Sequence, residues 1–156
     1  MAGEKEGGCS CGAVRYRLGG APMFVHCCHC TSCQTETGSA FVLNALIEAA
    51  RVETLAGAPQ PVMTPSESGR GQNVWRCPDC RVALWSNYGG AADLLRFVRI
   101  GTLDDPGALP PDVHIYTRSK LAWVMLPEGA PAFEAYYDSK SLWPAASLER
   151  RKALFG

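Results

Sequence analysis

The chain has 156 residues, 47% of them apolar and 19% charged, with 15 basic side chains balanced by 15 acidic ones. That length suits one globular domain with its own core, and the composition is not that of a disordered chain. Zero net charge without a basic run excludes an electrostatic footprint for nucleic acid or an acidic membrane surface, and no apolar stretch approaches the roughly 20 residues of a membrane span. In chain order, residues 1–8 lack the apolar centre of a signal peptide, so the expected location is the cytoplasm. There thiols stay reduced, and the eight cysteines read as metal ligands rather than disulfides.

Alternation of apolar and polar residues then predicts a succession of short strands. Ala13 to Leu18 is the first and Met23 to Cys27 the second. Thr31 to Thr37 is polar and suits a single helical turn. Ser39 to Ile47 and Arg51 to Leu55 are strand-like. Gly57 to Pro65 carries three prolines, which confine it to a loop or an edge strand. Ser66 to Gly71 is a turn or mobile loop. Asn73 to Arg76 and Val82 to Ser86 flank a CPDC turn as a hairpin. Leu94 to Gly101 reads as a buried strand, Asp104 to Asp112 as a loop, and Val113 to Thr117 and Phe133 to Tyr137 as late strands. Pro144 opens a helix from Ala145 to Phe155, since proline fits a first helical turn. Arg150, Arg151 and Lys152 read as its solvated face. The expected fold is mainly β, one domain over residues 1–156 with a C-terminal helical extension at 144–156.

Seven cysteines form three clusters: Cys9 and Cys11 in CSCG, Cys28, Cys30 and Cys33 in CHCTSC, and Cys77 and Cys80 in CPDC. Closely spaced thiolates suit zinc, which takes four soft or borderline ligands at tetrahedral corners. The simplest division joins the first and last pairs into one closed four-thiolate site. It would close a loop of ~65 residues, where a cross-link restricts the unfolded chain strongly. Gly12 lets the backbone turn tightly behind the first pair. The middle cluster then holds a second metal with three thiolates and one free position, as catalytic zinc sites do. Its alternative is a second structural site, with a fourth ligand from His26, Cys27, His29 or His114. Neighbours on a strand point to opposite faces, so Cys27 should not share a metal with Cys28 and is expected as a buried thiol. His29, between two ligands, is expected to point away from the metal.

These motifs carry a resemblance. CSCGAVRY, then CHCTSC followed by GSAF, a CxxC hairpin, GTLDDP and HIYTRSKLAW together resemble the glutathione-dependent formaldehyde-activating enzyme family, which shares its domain with centromere protein V. The resemblance spans roughly residues 7 to 137. It implies a β-tent type zinc fold with two zinc ions per chain. Cys9, Cys11, Cys77 and Cys80 would hold the structural one, and Cys28, Cys30 and Cys33 the catalytic one. It also implies a carbon–sulfur lyase that joins formaldehyde to glutathione as S-hydroxymethylglutathione, and so a small thiol as partner. The chain departs from the family at Arg81 and Val82, where glycine and a small polar residue are usual. A strained or altered turn is expected there.

Outside the cysteines, His114 is a further candidate catalytic residue. Asp104 and Asp105 read as turn caps. Arg118 and Lys120 could meet ligand carboxylates, though surface placement is the simpler expectation. Trp75, Trp85, Trp123 and Phe41 read as core. The leading expectation is a zinc lyase acting on adducts of glutathione or a similar thiol with formaldehyde or another small electrophile. The alternative is a non-enzymatic zinc module that binds a thiol carrier or a protein partner. A homodimer is compatible with either.

Overall fold

The structure is a computed structural model describing residues 3–89 and 93–156. Among these residues ten strands form two sheets. β1 (Lys5–Gly8), β2 (Arg15–Leu18) and β5 (Val52–Ala56) make a three-stranded antiparallel sheet. The larger sheet has the order β10-β3-β4-β9-β8-β7-β6. Its strands are β3 (Phe24–Cys28), β4 (Val42–Glu48), β6 (Gln60–Thr64), β7 (Gln72–Arg76), β8 (Ala83–Tyr88), β9 (Leu95–Arg99) and β10 (Val113–Ile115). Only β10 runs parallel to its neighbour, β3. Two helices complete the fold: α1 (Thr31–Thr37) after β3, and α2 (Ala145–Phe155) at the end. The expected mainly β class, the early helical turn and the span of the last helix are all present.

The strands explain the sequence pattern. β3 is buried at all five positions, and β4 at six of its seven. Alternate residues of β4 serve two cores. Ala45 and Ile47 join Tyr16, Leu18, Trp85 and Val98 on one face, while Val42 and Leu46 join Met23, Phe24, Leu95 and Trp143 on the other. A strand covered on both faces has no reason to alternate, hence the unbroken apolar run. β6 is the opposite case: an exposed edge that tolerates Pro61 because its outer N–H groups need no partner.

Three local expectations are corrected. β1 escapes pattern reading because its residues are Lys-Glu-Gly-Gly. It pairs with β2 because Gly7 admits close neighbours: a Cβ there would lie 2.5 Å from the Thr102 carbonyl oxygen and 2.6 Å from the Tyr16 hydroxyl. Phe133 to Tyr137 is not a strand. It keeps backbone hydrogen bonds, Phe133 N–H to the His114 carbonyl at 2.9 Å and Tyr116 N–H to the Ala135 carbonyl at 3.1 Å, but Tyr116 turns left-handed (φ 54°) and ends β10, so no ladder extends beyond the bridge from His114 to Ala132. Trp123 stands 72% exposed rather than in the core. The Lys120 ammonium ties the carbonyls of Leu121 and Val124, and the resulting turn sends Val124 inward instead.

α2 is not simply a helix with a solvated basic face. The Arg150 guanidinium donates to both carboxylate oxygens of buried Glu48, at 2.8 and 2.5 Å, and to the Ala21 carbonyl at 3.0 Å. Ser147 donates to the Met23 carbonyl at 2.7 Å. These bonds dock the helix against the start of β3 and the end of β4. Arg151 and Lys152 are exposed in the expected way, though Arg151 also lies 6.0 Å from the centre of the Trp143 ring. Among the described residues no helix is long and apolar enough to cross a membrane.

Candidate metal centres and the adjoining cavity

Two hairpin tips, one from each sheet, bring the first and last cysteine pairs together. Cys9 and Cys11 sit in the β1–β2 turn, where Gly12 takes φ 80° and the Val14 amide donates to Cys9 Sγ at 3.3 Å. Cys77 and Cys80 sit in the β7–β8 turn, closed by the Arg81 amide on the Cys77 carbonyl at 3.0 Å. The four sulfurs lie within 4.8 Å of one another. Cys9 to Cys11 is 3.5 Å and Cys11 to Cys77 is 3.7 Å. A tetrahedral zinc with bonds of about 2.3 Å requires sulfur separations of about 3.8 Å, so this donor set fits a metal ion. All eight cysteines are free thiols.

Arg81 occupies the left-handed region at φ 67°, the conformation that glycine adopts without cost. The expected local strain is therefore present. Arg76 supports the turn: its guanidinium donates to the Arg81 carbonyl at 3.0 Å and to Glu36 Oε1 at 2.9 Å. Glu36 also faces Arg99 at 3.5 Å. A buried ionic contact thus joins α1, which carries Cys33, to the hairpin that carries Cys77 and Cys80.

The middle cluster is built by the end of β3 and the first turn of α1. Cys28 closes the strand, and Cys30 caps the helix, its sulfur accepting from the Cys33 amide at 3.2 Å. The Gln34 side chain donates to the carbonyls of His29 and Ser119 at 3.0 and 2.9 Å and fixes the loop. The sulfurs of Cys28, Cys30 and Cys33 lie within 4.8 Å of one another, and all three residues are buried. Among the described residues no fourth cysteine, histidine, aspartate or glutamate joins the group. Hydrogen bonds from Cys28 and Cys33 hold the Cys30 thiol down to about 3, and the same contacts push Cys28 up to about 12 and Cys33 upward too. The proximity of the three sulfurs and their burial oppose more than one negative charge in the group. Three adjacent thiolates need a compensating cation, which is the second sign of a metal fit.

The three cysteines line a cavity of about 680 Å³. His26, Tyr88 and Phe97 form part of its inner wall, Ser66 to Ser68 and Arg70 one side, and Tyr136, Trp143 and Arg151 another. The Ser66 to Gly71 segment, expected as a turn or loop, is therefore a wall of this space. Its Glu67 meets Arg118 at 3.0 Å.

His114 is placed elsewhere. Register pairs it with Cys27 on β3, and both side chains lie on the face away from Cys28 and Ile115. Cys27 Sγ is 3.5 Å from His29 Nε2, which is 3.0 Å from His114 Nδ1. Burial pushes the Cys27 thiol up to about 12 and the His29 imidazole down to about 4, and lowers His114 as well. His26 instead meets the Tyr137 hydroxyl at 2.6 Å. None of the four residues weighed as a fourth ligand joins the three cysteines. The sequence separates Cys27 from Cys28 by strand alternation, but it gives no sign of this Cys27–His29–His114 group. The group depends on β10 lying parallel to β3, which brings together His29 and His114, 85 positions apart in the chain.

The remaining candidates are structural. Asp104 accepts from Arg15 at 2.8 and 2.6 Å and links the turn after β9 to β2. Lys120 is taken up by carbonyls and Arg118 by Glu67. Trp85 is buried as expected, with Tyr16 edge-on at 5.7 Å.

A family model described as glutathione-dependent formaldehyde-activating enzyme matches residues 4–119. A crystal structure of a Rhodobacter sphaeroides protein is similar to this chain, with 18% identity and a TM-score of 0.47 over 64% of this chain and 87% of that one. No curated protein matches.

Proposed function

The chain belongs to the glutathione-dependent formaldehyde-activating enzyme family, and on that premise we propose that it is a zinc-dependent carbon–sulfur lyase. It acts on adducts of glutathione or a similar thiol with formaldehyde or another small electrophile. The observation that carries this reading is the position of the three-cysteine group: buried donors, three in number, opening on a cavity of about 680 Å³. Two zinc ions are held per chain, one by Cys9, Cys11, Cys77 and Cys80 and one by Cys28, Cys30 and Cys33. The second, when bound, supplies a Lewis-acidic position that favours a ligand's thiolate over its thiol.

The rest of the chemistry is small. The thiolate sulfur gives its pair to the aldehyde carbon, the C=O π pair moves to oxygen, and that oxygen takes a proton from solvent. The reverse breaks the C–S bond. Thiol addition to formaldehyde needs little help, so the contribution of the chain is to orient the partners and to keep one sulfur deprotonated. Cys30, capped by the Cys33 amide, and Gln34, bridging two carbonyls, hold the donor loop rigid. His29 and His114 brace the same loop from behind, which makes His114 a positioning residue for this centre. One domain serves both centres, and a reducing cytoplasm keeps the eight cysteines out of disulfides.

The test is exchange between glutathione and formaldehyde followed by NMR. The wild-type protein should accelerate it, and Cys30→Ser should not, while retaining the four-cysteine metal. Exchange no faster than in buffer would reduce the protein to a zinc module.

A further inference from the structure

Formaldehyde brings one carbon to the cavity, and much of the cavity has no use for so small a partner. Tyr136, Ser139, Trp143, Arg151 and Phe155 line it. All five come after residue 119, outside the matched family segment. Trp143 is fixed in advance. Its ring stacks on Phe24 at 5.5 Å and 24°, and its Nε1 donates to the Tyr137 hydroxyl at 2.7 Å. Tyr136 and Phe155 are different: they stand 50% and 48% exposed while facing the same space. Large aromatic side chains left open on a concave wall mark a surface that something covers.

The charges add a second observation. Arg151 rests over the Trp143 ring and donates to Ser139 Oγ at 3.2 Å. Arg70 lines the cavity from the facing loop. Neither has a carboxylate within salt-bridge distance among the described residues, whereas the acid on that wall, Glu67, is already paired with Arg118. The cavity therefore combines a thiol-binding floor, an aromatic wall and two cations without acidic partners.

Resting on the lyase reading above, we propose that the electrophile is an aromatic aldehyde, handled as its adduct with an acidic thiol. The sulfur lies at Cys28, Cys30 and Cys33, the aryl group packs against Tyr136, Trp143 and Phe155, and the carboxylates of the thiol face Arg70 and Arg151. The bond changes are those given for formaldehyde: the C–S bond forms, the carbonyl pair goes to oxygen, oxygen takes a proton, and nothing is oxidised or reduced. The segment after residue 119, beyond the matched family model, is the specificity element of the site.

Calorimetry on the full zinc-loaded chain with S-benzylglutathione and S-methylglutathione tests this. Both are thioethers with the same carboxylates, so they differ only in the aryl group. The benzyl compound should bind about tenfold more tightly. The Tyr136→Ala/Phe155→Ala double variant should abolish that preference without shifting the melt appreciably, because both side chains are half-exposed. Arg151→Gln should weaken both compounds alike. Equal affinity in the wild type, or a preference that survives the double variant, overturns the proposal. The lyase reading is scored separately: accelerated formaldehyde exchange without a benzyl preference keeps the lyase and removes the aromatic substrate. A benzyl preference without exchange of either formaldehyde or benzaldehyde with glutathione keeps the aryl-binding wall but removes the lyase, and with it the aromatic substrate.

Discussion

The four-cysteine centre lies where two hairpin tips from different sheets meet at the surface, with Cys11 exposed and Cys80 half-buried. The three-cysteine centre is drawn from one continuous loop, its sulfurs are buried, and yet it opens on a cavity. The first joins segments 66 residues apart at its Cys11–Cys77 contact, and the second joins nothing that the chain does not already hold together. On the proposed two-zinc reading, donor count and topology divide the work. A centre that closes a long loop with four donors is coupled to folding, and a local centre with three donors leaves folding alone and keeps a position for a ligand.

The largest expected effect breaks the first centre. Structural zinc binds with an apparent free energy on the order of 10 kcal/mol, which rivals the whole stability of a domain. Cys77→Ser should therefore abolish a cooperative thermal melt, while Cys30→Ser should lower the midpoint by only about 5 °C. Equal losses in the two melts would mean that both centres are structural. Graded chelation comes next. Metal analysis of wild-type protein should show close to two zinc ions, with the three-cysteine centre emptied first because its ligand set is incomplete. Simultaneous loss of both ions would contradict the division.

A smaller effect concerns the helix that roofs the open centre. Burial raises the Glu48 carboxyl, but the bonds and charge of Arg150 outweigh it and hold the group below the usual carboxylate range. The folded state then binds fewer protons than the unfolded one. Its stabilisation is complete above the ordinary carboxylate value and is lost as pH falls through the lower folded one. Glu48→Gln should flatten that acid-side slope, compared with wild type, in melts taken between about pH 6 and 3. The smallest effect is at the knuckle. Arg81→Gly should relieve the left-handed backbone and raise the melting midpoint by about 2 °C, since the Arg81 carbonyl that Arg76 holds is kept. A lowered midpoint would show that the side chain, not the backbone, matters there.

The sequence discloses what depends on local spacing. The grouping of cysteines, the opposite facing of Cys27 and Cys28 and the bounds of α2 all follow from neighbours in the chain, and the strained turn at Arg81 from its departure from the resembled family's glycine. It conceals what depends on distant pairing. β1 exists because Gly7 fits under Tyr16 and Thr102, and His114 joins His29 because β10 happens to lie parallel to β3. Arg150 reads as solvated until Glu48, 102 positions away, is seen beside it. The aromatic wall of the cavity is hidden for the same reason: Tyr136, Trp143 and Phe155 carry no motif, and only the fold brings them to the cavity that the cysteines line.

The most direct measurement is calorimetric binding of glutathione and S-methylglutathione to the zinc-loaded protein across pH 6.5 to 8.5. If the three-cysteine centre takes a thiolate, glutathione binds much more tightly than the thioether. Its affinity should then rise toward the thiol's ordinary pKa of about 8.5, since the competent form is deprotonated. Equal affinity for the two ligands, unchanged with pH, would show that the sulfur does not engage the centre.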